Sequence, residues 1–243
     1  MMLVDKLMMI KESLDIPDEF GADLENDDYY QVDEICNSAL DENDMTDFSC
    51  RVGASKTVLV SERYNYVLKI PFSGYWRVTS EIDEDAMYYD GTDEFVFYEN
   101  SRSESCWNYC ETEEEVYADA VKFGVAHFFA ATEFYGYTPT KYPVYIQPRV
   151  ISYFDHKYEH SREHTKEELL YATNILQSSR IHIGLSPEWI AEAIAAFGEE
   201  SVLDLISFID LRGITDLHTS NYGYTLDGKP IIFDYAGWHE RIE

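Results

Sequence analysis

Asp216-Leu217-His218-Thr219-Ser220-Asn221 is followed, after a short turn, by Ile231-Ile232-Phe233-Asp234-Tyr235-Ala236-Gly237. Asp216 is placed to accept a proton from an attacking hydroxyl, and Asn221 and Asp234 are oxygen ligands of the kind a hard Mg²⁺ ion requires. Between them, Asp227-Gly228 supplies a turn joining two β-like runs, Tyr222–Leu226 and Pro230–Phe233. A hairpin there brings Asn221 and Asp234 back to one end, close enough to share an ion. The chemistry suggested is phosphoryl transfer or nucleotide binding. An Asp-rich hairpin in an acidic protein is the bland alternative.

The two motifs together resemble the catalytic loop and the metal-binding D-F-G segment of the protein-kinase-like superfamily. The D-L-H-x-x-N form is closer to the aminoglycoside phosphotransferase branch than to eukaryotic protein kinases. Both motifs occur in order, at family-like spacing, with an apolar strand before the second. The resemblance implies an α+β, two-lobed protein-kinase-like fold. Its N-lobe would be a five-stranded antiparallel sheet with one main helix, and its C-lobe small, mostly helical and truncated. It also implies ATP and Mg²⁺ as cofactors and transfer of the γ-phosphate to an acceptor. Asp216 would be the base, His218 would sit near the transferred phosphate, and Asn221 and Asp234 would hold the metal. Where family members carry H-R-D or H-G-D, this chain has Ile214 and Thr215 before the aspartate.

Upstream, the texture from Cys50 to Phe72 is β. Val52–Val60 reads strand, turn, strand; Arg63-Tyr64-Asn65 is a turn; Tyr66–Pro71 is a third strand. By resemblance, Gly53–Lys56 is the phosphate-covering loop, with Gly53, Ser55 and Lys56 at the nucleotide, and Lys69 contacts the α- and β-phosphates. The loop has one glycine where the family has G-x-G-x-x-G, and Lys56 offers compensating charge. Lys69 stands between Leu68 and Ile70 in an apolar strand. Alternation puts Val67 and Lys69 on one face, and a lysine aimed inward needs an anionic partner. The competing reading is a strand lysine facing solvent. Glu111–Phe123 reads as a helix with acidic residues at its start and Val116, Tyr117, Ala120 and Val121 on one face. By resemblance Glu113, or in its place Glu114, pairs with Lys69. Phe128–Tyr137 and Pro143–Val150 read as two more strands. Gln147 to Val150 would form the hinge, the backbone of both residues meeting the adenine edge, with Pro148 removing one donor.

The chain has 243 residues, with 18 Lys plus Arg against 47 Asp plus Glu, a net charge of −29. Such a surface repels nucleic acid and argues against direct binding through phosphate contacts. It suits a basic protein partner, or mimicry of nucleic acid. A catalytically inactive, pseudokinase-type interaction or inhibitor protein is therefore the alternative to an enzyme. Hydrophobic content of 45% speaks against wholesale disorder. Cys36, Cys50, Cys106 and Cys110 are too few and scattered for a disulfide scaffold and read as free buried thiols. No secretory signal or membrane span is legible, so a cytoplasmic location is expected. Expected boundaries are an acidic helical extension at 1–47, the N-lobe at 48–150 with an insertion at 73–108, and the helical C-lobe at 151–243. His156, His160 and His164 recur at helical spacing, but their polar neighbours read as a solvated segment rather than a metal site. Helices are expected at Glu167–Ser178, Pro187–Phe197 and Glu200–Leu211. Nine residues follow Asp234 (243 − 234), where kinases place their acceptor-binding elements. The acceptor site is accordingly expected to be missing, rebuilt from other segments or supplied by a partner.

Overall fold

The lysine-bearing strand Tyr66–Pro71 (β3) lies at the centre of an antiparallel sheet. In the computed structural model, which describes residues 37–38, 40–42, 45–53, 56–71, 108–137, 143–154 and 163–236, this sheet has five strands. The others are β1 (Ser49–Val52), β2 (Lys56–Val60), β4 (Glu133–Tyr137) and β5 (Pro143–Pro148), in spatial order β1-β2-β3-β5-β4. Every residue of β3 is buried. That explains why it reads as a near-continuous apolar run: as the central strand it has both faces covered, whereas a half-exposed strand alternates.

Helix α1 (Tyr109–Phe123) packs on this sheet. Asn108 caps it, accepting from the backbone N–H groups of Cys110 (3.1 Å) and Glu111 (3.2 Å). The Asn108 amide also donates to the Tyr145 hydroxyl of β5 at 2.6 Å, which fixes the helix start against the sheet. The buried residues of α1 are Cys110, Glu113, Val116 and Ala120. Their spacing makes one stripe, and Glu113 lies in the middle of it. Val121, expected on that face, is instead 55% exposed, because the stripe runs through Ala120 and not beyond it. The helix stops at Gly124, whose φ of 89° closes it in the left-handed region.

The chain then departs from expectation. Phe128 and Phe129 do not begin a strand. Ala126–Phe128 is a 3₁₀ turn, Phe129 makes an isolated parallel bridge with Ile232, and β4 starts only at Glu133. The two aromatics are apolar because they fill the core beneath α1, not because they pair in a sheet.

A second sheet takes over beyond Pro148. It contains β6 (Val150–Ser152), β7 (Tyr222–Thr225) and β8 (Pro230–Ile232) in that order. Three further helices, α2 (Lys166–Gln177), α3 (Pro187–Phe197) and α4 (Glu199–Arg212), accompany it. Their ends are set locally. Thr165 and Glu168 form a capping box on α2. Ser186 caps α3, with Pro187 at its first position. Trp189 of α3 is fully buried; its indole N–H donates to the Gly223 carbonyl at 2.9 Å and locks the helix to β7. Gly223 has no room for a side chain, since a Cβ there would meet Ile151 O at 2.1 Å. The described part of the chain is therefore α+β, with a five-stranded antiparallel sheet and several helices. Within it no helix is long and apolar enough to cross a membrane.

Cys50 and Cys110 are buried, and burial pushes the Cys110 thiol up to about 12. His164 is not the solvated residue expected. Its side chain is 5% exposed and its Nε2 lies 3.2 Å from Glu192 Oε1, because the segment before α2 packs onto α3. Cys36, Cys106, His156, His160, the 1–36 extension and nearly all of the 73–108 insertion lie outside the described residues.

Candidate functional site

Glu113 is the hub of the site. Its carboxylate has no solvent exposure and accepts from three donors: Lys56 Nζ at 2.9 Å, Lys69 Nζ at 2.7 Å and Thr132 Oγ1 at 2.7 Å. Three elements and one connection deliver these groups. Lys69 comes from the middle of β3 and Lys56 from the first position of β2. Glu113 sits on the buried stripe of α1, and Thr132 closes the segment entering β4. Of the two glutamates open in the sequence, Glu113 is thus the one that meets Lys69. Glu114 accepts from the Phe134 N–H at 3.4 Å, on the outer side.

Asp234 is the second anion. Its Oδ1 lies 2.9 Å from Lys56 Nζ, and its side chain is 34% exposed, the only one of the four charged groups with appreciable solvent contact. The preceding residue orients it. The Phe233 carbonyl accepts from Lys69 Nζ at 2.8 Å and from Gln147 Nε2 at 2.9 Å. Gln147 also donates to Thr132 Oγ1 at 2.8 Å and to Ala130 O at 3.3 Å. On the far side, the Tyr235 hydroxyl donates to Ala130 O at 2.8 Å. The Asp234 segment is therefore braced before and after the carboxylate.

The electrostatics follow from these contacts. Burial alone would lower the Lys56 pKa, but Asp234 and Glu113 more than offset it and hold the ammonium well above its ordinary value. Burial alone would raise Asp234, and Lys56 with Lys69 reverses that, keeping the carboxyl below the usual range. Two lysines and two carboxylates thus form a contact cluster whose formal charges sum to zero.

The hairpin brings the remaining motif to the same place. β7 and β8 pair Tyr222 with Ile232, and the Asn221 carbonyl accepts from the N–H groups of Phe233 (2.9 Å) and Asp234 (3.1 Å). Asn221 and Asp234 are neighbours at one end of the hairpin. The Asn221 side chain donates through Nδ2 to Asp216 O at 2.6 Å, which assigns Oδ1 as the atom left to act as a ligand. Leu217 is buried, so the flanking side chains of Asp216 and His218 face outward; His218 Nε2 lies 3.7 Å from Asp216 Oδ1.

Two other residues expected at the nucleotide are placed differently from their sequence reading. Lys56 is a strand residue, not a loop residue: the Gly53 N–H donates to its carbonyl at 2.8 Å, closing the β1–β2 turn, and its side chain runs inward. Gln147 lies inside β5, opposite Val67, so it is not in the connection between sheets. It is the side chain that reaches the cluster. Val150 begins β6, opposite Thr225, leaving Arg149 between the sheets with its N–H on Asn65 O at 3.0 Å. Ser55 lies outside the described residues. Thr132 and the Phe233 carbonyl were not foreseen. A carbonyl has no letter in a sequence, and Thr132 sits in a segment read as strand.

The donor set suits Mg²⁺ in one specific way. Asn221 and Asp234 offer two oxygen ligands, and among the described residues no group of three His, Cys, Asp or Glu converges. Two protein oxygens cannot form a cage, but Mg²⁺ is ordinarily held by one or two such ligands together with substrate phosphates and water. The residues therefore fit a cation that arrives with a polyphosphate. No protein-family model matches the chain, and no curated protein matches it.

Proposed function

We propose that this chain binds ATP with Mg²⁺ at the Lys69–Glu113–Asp234 cluster, in a two-lobed kinase-like arrangement. We further propose that it transfers the γ-phosphate to an acceptor hydroxyl. The observation that carries this reading is the convergence on one point of a buried strand lysine, its helix glutamate and the aspartate after β8. They come from positions 69, 113 and 234, and the Asp234 backbone is joined to Asn221. A core does not gather buried charges without reason, since desolvating them is costly and a structural ion pair is often no better than an apolar one. A place for a polyphosphate and its cation is such a reason.

The roles follow from position. Lys69 is held by Glu113 and Phe233 O, so it presents a fixed positive charge to phosphate oxygens. Lys56 adds a second. Asn221 and Asp234 would hold Mg²⁺, which neutralises charge on the transferred phosphoryl group. Asp216 projects from the loop that Asn221 anchors. It would take the proton of the acceptor hydroxyl as that oxygen bonds to phosphorus and ADP departs. His218, beside Asp216, adds a donor near the transferred group. Catalysis of this kind is mainly positioning and electrostatic stabilisation.

A thermal-shift titration with ATP and Mg²⁺ tests the reading. At about 100 times its dissociation constant a ligand adds roughly 2.7 kcal/mol. The wild type should show a magnesium-dependent rise that Lys69→Ala and Asp234→Ala lose, and Asp216→Ala should keep the rise but lose phosphoryl transfer. No rise in the wild type at millimolar ATP would sink it. The charge of −29 favours a second reading in that case: the same scaffold without catalysis, its acidic surface engaging a basic protein.

A further inference from the structure

The two buried lysines occupy different electrostatic positions. Lys69 donates to Glu113 Oε2 and Phe233 O, neither of which is a metal ligand in the reading above. Lys56 donates to Glu113 Oε1 and directly to Asp234 Oδ1, both at 2.9 Å. Its ammonium sits on the carboxylate that would hold the cation.

We infer that Lys56 is an exchangeable counter-ion: it occupies Asp234 in the nucleotide-free protein and makes metal entry conditional on a polyphosphate arriving with the metal. This rests on the nucleotide-binding reading and adds a rule for how that site fills. Lys56, Lys69, Glu113 and Asp234 sum to zero charge. A divalent cation added alone would leave two uncompensated positive charges beside groups almost wholly removed from water. At the low effective dielectric of such a site the repulsion from Lys56 and Lys69 is not screened away. A triphosphate brings more negative charge than its cation brings positive charge. It more than offsets the charge of the cation and gives Lys56 a new anionic partner.

The geometry suits an exchange. Lys56 opens β2 opposite Pro71, where the Gly53 N–H donates to its carbonyl, so its backbone is fixed and the exchange would move only its four-carbon stem. When it leaves, Glu113 keeps Lys69 and Thr132, so the buried carboxylate is never stranded. Asp234, the most exposed member, is the one a hydrated ion reaches first.

Mn²⁺ binding, followed by electron paramagnetic resonance of the free ion, tests this on the full chain. Wild type, Lys56→Met, Lys56→Gln, Lys56→Arg and the double variant Lys56→Met with Asp234→Asn are titrated without nucleotide and then with ATP. The neutral variants should bind Mn²⁺ alone about tenfold or more tighter than wild type, because removing a like charge at contact distance is worth at least that. The arginine variant should match wild type, and the double variant should lose the gain, which separates Asp234 from weak surface carboxylate sites. ATP should recruit Mn²⁺ to the wild type. If either neutral variant folds and shows no gain for free Mn²⁺, while ATP still recruits the ion to the wild type, the counter-ion role fails alone. If ATP recruits no Mn²⁺ to the wild type, the nucleotide reading fails with it.

Discussion

At Glu113, three donors converge on a carboxylate with no contact to water, and this sets the order of sensitivity within the cluster. Glu113→Ala would leave two buried ammoniums sharing only Asp234 and the Phe233 carbonyl. Removing one partner of a buried ion pair costs about 3–5 kcal/mol, since the charge left behind cannot reach solvent. We expect that loss in a urea melt, with Glu113→Gln falling between it and wild type because the amide keeps an acceptor but no charge. Asp234→Asn should cost less than Glu113→Ala, since its side chain is a third exposed and water can replace part of what is lost. A Glu113→Ala protein as stable as Asp234→Asn would mean that the hub is Asp234, and that the buried carboxylate is held by packing alone.

The elements that carry these residues were legible in the sequence where their signals are local. Ser186-Pro187 and the Thr165/Glu168 box mark the starts of α3 and α2, and the observed spans differ from the expected ones by a residue or less. The hairpin was legible from Asp227-Gly228 between two β-like runs. A lysine in an apolar strand signals the need for an anionic partner, but Glu113 came only from the resemblance, with Glu114 open beside it. What failed depends on contacts between distant segments. Phe128-Phe129 looks like a strand until the core beneath α1 is seen to claim both rings. Gln147 looked like a connection, and only the register against Val67 places it inside β5. Gly184 carried no signal at all, yet it holds the loop of Asp216 and His218 in place. It lies in the 178–186 connection between α2 and α3, and a Cβ there would come 2.3 Å from Leu217 O and 3.1 Å from Leu217 C. Leu217 is 1% exposed and backed by the core, so neither side can yield without disturbing the loop. Gly184→Ala should therefore lower the urea midpoint by the equivalent of about 1–3 kcal/mol, the usual cost of overpacking, with an unchanged m-value. A midpoint within error of wild type would show that the connection slides away freely, and that the loop is positioned by the Asn221–Asp216 hydrogen bond instead.

Over the whole molecule, 47 acidic groups against 18 basic ones create a field that works against both folding and anion capture. Several exposed cations are already paired within their own surroundings, Arg63 with Asp47, Lys122 with Asp119 and Lys229 with Asp227. Such exposed pairs contribute little each. The excess negative charge is left to repel itself, which destabilises the compact state. Salt shortens the reach of that repulsion: the Debye length falls from about 30 Å at 0.01 M to about 8 Å at 0.15 M. The cluster of Lys56, Lys69, Glu113 and Asp234 lies within contact distances and is hardly screened over the same range. The melting temperature of the ligand-free protein should therefore rise with sodium chloride. In a protein of this size each 1 kcal/mol of relief corresponds to about 2–4 °C. Potassium chloride should give the same curve, since the effect is one of ionic strength. A melting temperature that falls with salt would mean that attractive surface pairs outweigh the net repulsion. The same field opposes an approaching polyphosphate and favours a basic protein. On the nucleotide-binding proposal, capture of a polyphosphate against this field would rest on the local positive charge of Lys56 and Lys69, the two ammoniums held by Glu113.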